Sequence, residues 1–162
     1  MQSPIFTKNF FLLSYILVFV EKQPEKAPIP EIWETEDDKH FSIGQLKYHY
    51  RRIARQNFQG KVFINKNTKW PIRVSADGIM EWWRKSRRRE HIISVQLLDY
   101  FLETGIFIGE NADYLGKRKI ISASQFESIC KVYGQPFKVI LTTRKAIYDI
   151  DKFRYFSLKA CT

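Results

Sequence analysis

From Arg84 to His91 the chain reads Arg-Lys-Ser-Arg-Arg-Arg-Glu-His, directly after the pair Trp82-Trp83. Five cations packed this closely repel one another, and a phosphate backbone relieves that repulsion while its own counterions are released. Arg84, Lys85, Arg87, Arg88 and Arg89 are therefore candidate phosphate ligands. Trp82 and Trp83 are candidate platforms on which unpaired bases stack. The competing reading is a solvated basic loop with both tryptophans in the core. At least one of the two belongs inside under either reading.

His91 closes this run, next to an expected helix N-terminus. Neighbouring cations and the positive end of a helix both favour the neutral imidazole, which is the form a general base needs. RNA cleavage without a metal requires a base for the 2′-hydroxyl, an acid for the leaving 5′-oxygen and cations on the transition state. His91 suits the first task and Lys85 or Arg84 the third, while Arg144 and Tyr148 approach from the C-terminal strands. The plain alternative is a surface histidine with no chemical role. His40, His49 and His91 form no HxH, HExxH or HxxE spacing, so no metal is expected. Cofactors are not expected either, since the glycine-rich phosphate loops and the GxSxG nucleophile turn are missing from the sequence. Cys130 and Cys161 have neither zinc-ligand nor disulfide-framework spacing.

These groups need elements to position them. Ser42 is placed to cap a helix to about Phe58, with Ile43, Leu46, Tyr50, Ile53 and Ala54 on one face and Lys47, Arg51, Arg52 and Arg55 on the remainder. Two short strands, Lys61 to Asn65 and Trp70 to Ser75, flank a turn at Lys66 to Lys69, with Pro71 marking an edge or a strand start. Ser75 caps a short helix carrying Ile79, Met80, Trp82 and Trp83. A longer helix runs from about Glu90 to Thr104 and ends at Gly105. Beyond it the pattern is β-rich: Ile106 to Ile108, Arg118 to Tyr133, Phe137 to Arg144 and Ala146 to Phe156, with a turn at Gly134-Gln135-Pro136. Ser124 to Val132 would also suit a helix face. Helices first and a meander last make the class α+β, with N-terminal helices packed on an antiparallel sheet of about four strands.

The chain has 162 residues and a net charge of +10, enough for one globular domain with an electropositive surface. Glu21 to Asp38 holds seven acidic against two basic residues and three prolines, which reads as a linker over residues 21–39. With that net of −5 and Lys8 set aside, Lys39 to Thr162 carries +14. The acidic stretch is either solvated or laid across the basic domain as a mimic of its ligand. Residues 1–20 form a hydrophobic segment, and its apolar run Phe10 to Val20 is too short to span a membrane. No small-residue cleavage pattern follows that run, so a cytoplasmic reading is preferred to secretion. Residues 40–162 make up the basic domain.

Gly60 to Asn65, Trp70 to Ser75, Gly78-Ile79, the helix from His91, Phe137 to Leu141 and Tyr148-Asp149 together resemble the small domains of phage and mobile-element polyvalent proteins related to the barnase, EndoU, colicin E5/D and RelE class of RNases. The resemblance covers roughly Leu46 to Phe153. It implies a helical part on a four-stranded antiparallel sheet with a metal-independent RNase site on the sheet face, and it places His91, Arg144 and Tyr148 at family-like positions. The expected function is an RNA-cleaving or RNA-binding domain of a toxin or mobile-element effector, with RNA or an acidic antitoxin or immunity protein as partner. A nucleic-acid-binding module without catalysis, or an interaction domain for an acidic protein, stays open beside it.

Overall fold

The computed structural model describes residues 28–112, 120–146 and 154–159. In chain order the elements are β1 (Glu31–Ile32), α1 (Glu36–Lys39), α2 (Ile43–Phe58), β2 (Val62–Ile64), β3 (Pro71–Arg73), α3 (Ala76–Lys85), α4 (Arg89–Ile93), a 3-10 turn (Ser94–Leu97), α5 (Leu98–Thr104), β4 (Ile106–Ala112), β5 (Ile120–Val132), β6 (Gln135–Ala146) and β7 (Arg154–Lys159). The class is α+β. The antiparallel run β4-β5-β6-β7 supplies the expected four strands. Three short strands extend it into a mixed sheet, with β1 parallel to β5, β3 parallel to β7 and β2 antiparallel to β3.

α2 forms where its cap and periodicity require. Ser42 accepts from the Gln45 backbone N–H while the Gln45 side chain accepts from the Ser42 N–H, satisfying two donors at the helix start. Leu46, Tyr50, Ala54 and Phe58 recur at four-residue spacing and are all buried. α3 is capped by Ser75 as expected and buries Gly78, Ile79 and Trp82. The expected Glu90 to Thr104 helix is broken into α4, the 3-10 turn and α5, and each piece buries its apolar residues. These pieces and the inward face of β5 and β6, with Phe126, Cys130, Val139 and Leu141, form one core. Ser124 to Val132 is strand, because its partners on β6 take up its backbone groups.

Gly105 does end α5, though without a left-handed conformation, its φ being −55°. A Cβ there would lie 2.7 Å from the Phe101 carbonyl oxygen, so close packing is what requires glycine. The β5–β6 turn is Tyr133-Gly134, one step earlier than the glycine-to-proline reading. Both residues have positive φ, 53° and 76°, as a two-residue type I′ hairpin demands, and Gln135 and Pro136 already belong to β6. The buried Asn65 holds the β2–β3 connection: its amide donates to the Leu102 and Gly105 carbonyls at 2.9 Å, and its Oδ1 accepts from Asn67 and Thr68.

Residues 31–39 lie within the segment expected as a linker, and they contribute β1 and α1. Thr35 and Asp38 form a second capping box, and the buried Asp38 accepts from the Tyr50 hydroxyl at 2.7 Å. Arg89 holds this strap from the other side. Its guanidinium donates to Glu34 at 2.6 Å, to the Asp38 carbonyl at 2.7 Å and to the Phe41 carbonyl at 2.8 Å. The apolar run Phe10 to Val20 and the candidate Tyr148 lie outside the described residues. No helix among the described residues is long and apolar enough to cross a membrane.

Candidate nucleic-acid interface

Lys47 and Arg51 follow the buried residues Leu46 and Tyr50 by one position each, so they project along the margin of α2's apolar stripe. That margin meets α3, and both cations lie over the Trp83 ring. The Lys47 ammonium is 4.9 Å and the Arg51 guanidinium carbon 5.1 Å from the ring centroid. Lys47 and Arg51 are half-buried and reach no carboxylate among the described residues. Burial holds the Lys47 ammonium below its ordinary pKa, and the charge of nearby Arg87 lowers it further.

Arg87 and Arg84 are exposed and form no ion pair among the described residues. The run turns between them because Ser86 is buried and its hydroxyl donates to the Trp82 carbonyl at 2.8 Å, closing α3. Arg88 is also exposed, with Glu90 3.9 Å away. Arg87 of the α3–α4 loop, whose charge reaches Lys47, adds a third cation to the surface formed by Lys47, Arg51 and Trp83.

Burial divides the other candidates. Trp82 is 0% exposed and belongs to the core, so it cannot serve as a stacking platform. Arg89 is saturated by Glu34 and two carbonyls, which makes it the anchor of the N-terminal strap and removes it from the phosphate ligands. His91 is 5% exposed, so it is not the surface histidine of the plain alternative, and its Nε2 is enclosed with no hydrogen-bond partner among the described residues. Burial, and after it the charge of Lys47, push its pKa down to about 4. The imidazole is neutral, as the sequence implied, but it is closed off from a ribose hydroxyl.

Lys85 and Arg144 do come together, on a third residue. Arg144 donates to the Glu81 carboxylate at 2.8 and 3.5 Å, and Lys85 pairs with the same carboxylate from one helical turn away. Glu81 thus pairs with two of the candidate catalytic cations and leaves the cluster with a net charge of +1. Among the described residues no hydrogen bond or ion pair joins His91 to this cluster. No group of three or more His, Cys, Asp or Glu side chains among them is placed to hold a metal ion.

A separate groove at the β4 end of the sheet is apolar. Pro28, Ile29, Ile106, Ile108 and Ile129 line it, with Glu127 as its one charged side chain, so it is unsuited to a polyanion. Sequence reasoning placed Lys47 and Arg51 on a basic helix face without making them site residues. The signal that marks them is their four-residue spacing one step from the buried stripe, with a tryptophan on α3, the next helix along the chain.

A family model, large polyvalent protein-associated domain 3, matches residues 42–155, well over half of the chain. The chain belongs to that family. The match begins at the Ser42 cap of α2 and ends within β7, so it takes in the whole cation cluster and the Glu81 cluster. The strap formed by β1 and α1 precedes it. No curated protein and no solved structure gave a match.

Proposed function

We propose that this polyvalent-protein domain binds RNA through its phosphate backbone, using Lys47 and Arg51 of α2 together with Arg84, Arg87 and Arg88 of the α3–α4 loop. One observation carries this reading: two half-buried cations share the Trp83 ring beside a third, and no carboxylate among the described residues compensates them. Leaving such groups partly desolvated and unpaired is unfavourable, and a docked phosphate removes that cost. Polyvalent-protein context favours a phage or mobile-element effector acting in the cytoplasm, where RNA is available.

Cleavage is the second reading, favoured by Glu81. Its side chain is 24% exposed and its carboxylate is held between Lys85 and Arg144, which places a proton acceptor beside two cations. Purified protein incubated with labelled RNA in EDTA tests both readings. RNA that is retarded but intact, with retardation reduced at least tenfold in affinity by Lys47→Met/Arg51→Met, supports binding. Cleavage that disappears in Glu81→Gln supports the enzyme. Failure to bind RNA at any salt, with capture of an acidic protein instead, removes both and favours an antitoxin or immunity partner.

A further inference from the structure

The cations of this interface are not strung out along a track. Lys47 at 4.9 Å and Arg51 at 5.1 Å address the same indole ring, and Arg87 is close enough to perturb Lys47. The indole nitrogen of that same ring, Trp83 Nε1, is enclosed with no hydrogen-bond partner among the described residues. A nucleic-acid chain presents its diester charges singly, at successive sugars, and suits cations that are spread out. Charge gathered around one point suits a compact group with more than one negative charge. A terminal phosphate monoester has a charge near −2 at neutral pH and three strong acceptor oxygens. It can engage the ammonium and the two guanidiniums together, with the planar guanidinium forks offering paired donors.

We infer that Lys47, Arg51, Arg87 and Trp83 form a receptor for the terminal phosphate of an RNA strand. This rests on the RNA-binding reading and specifies which part of the strand the site takes. The rest of the strand then runs over the exposed Arg84 and Arg88.

The test uses the full chain and three oligoribonucleotides of one sequence, ending in a 5′-phosphate, in a 3′-phosphate, or in hydroxyls at both ends. At fixed ionic strength, one of the phosphorylated forms is expected to bind at least tenfold more tightly than the hydroxyl form. Arg87→Gln, an exposed change, should reduce that ratio at least threefold, and Lys47→Met/Arg51→Met should bring it close to one. Methionine keeps the aliphatic packing of both stems, and an unchanged far-ultraviolet spectrum and melting temperature would show that the variants fold. Equal affinity for all three RNAs would overturn the terminal-phosphate receptor and leave backbone binding standing. An end preference that persists undiminished in both variants would place the receptor elsewhere and overturn this assignment. If none of the RNAs binds, the RNA reading itself fails.

Discussion

At the scale of single residues, a shift of one position decided several roles. Trp82 and Trp83 are adjacent, yet a helix turns about 100° per residue, so one enters the core and the other meets the cations of α2. His91 shows the same principle through its surroundings. Local cations favour a neutral imidazole, and burial adds a stronger push in the same direction. The consequence for stability has a definite sign. The folded histidine titrates near 4 and an unfolded one near 6.5, so between those values the unfolded chain binds more protons and acid favours unfolding. Stability lost on going from pH 7 to pH 4 should include a contribution on the order of 3 kcal/mol from this residue. Urea denaturation across that range should show a shallower pH dependence for His91→Leu than for the parent. Asp38 acts at lower pH: burial would raise its carboxyl, but hydrogen bonds from Tyr50 and Thr35 prevail and hold it below its usual value. Its stabilisation is therefore lost only as pH falls through the ordinary carboxylate range and below.

Among the elements, α2 and the Ser75 cap of α3 were legible because cap, period and composition all agree within one local stretch. The β5–β6 hairpin was legible as a hairpin, but its turn was displaced by a residue. Gly134 was an obvious turn residue, whereas nothing local announces that Tyr133 will accept a positive φ. The strap formed by β1 and α1 was hidden for a different reason. Its acidic, proline-containing composition is that of a linker, and the contact that fastens it joins Glu34 to Arg89, 55 positions apart. Arg89→Met should cost about 2–3 kcal/mol, because it leaves a carboxylate and two carbonyls without their donor. Hydrogen exchange should then rise first in residues 31–41, while the centres of β5 and β6 stay protected. Uniform loss of protection across the sheet would show that the strap is not a separable unit.

For the whole molecule, the net charge of +10 predicts attraction to polyanions but gives no address for it. The address proposed is the α2–α3 seam, and salt dependence can count the charges there. Affinity for single-stranded RNA should fall linearly on a log–log plot against salt, and removing Lys47, Arg51 and Arg87 should make that slope shallower, at roughly 0.7 per phosphate neutralised: by about two units where each cation meets its own phosphate and by less where all three meet one terminal phosphate. A variant slope equal to the parent's would mean that the cluster lies off the RNA path, whatever its effect on affinity.

The sequence by itself determined the α+β class, the capped helices, the meander and the excess of positive charge, since each depends on period, capping or composition within a short stretch. It also drew attention to the run from Arg84 to His91. Only the tertiary structure decided how those residues divide: Arg89 to a structural carboxylate, Lys85 and Arg144 to Glu81, His91 to the interior, and Arg87 to a surface shared with Lys47 and Arg51. The physical reason is that a charged side chain's role depends on which opposite charges reach it and on how much water remains around it. Both are set by segments that are distant along the chain.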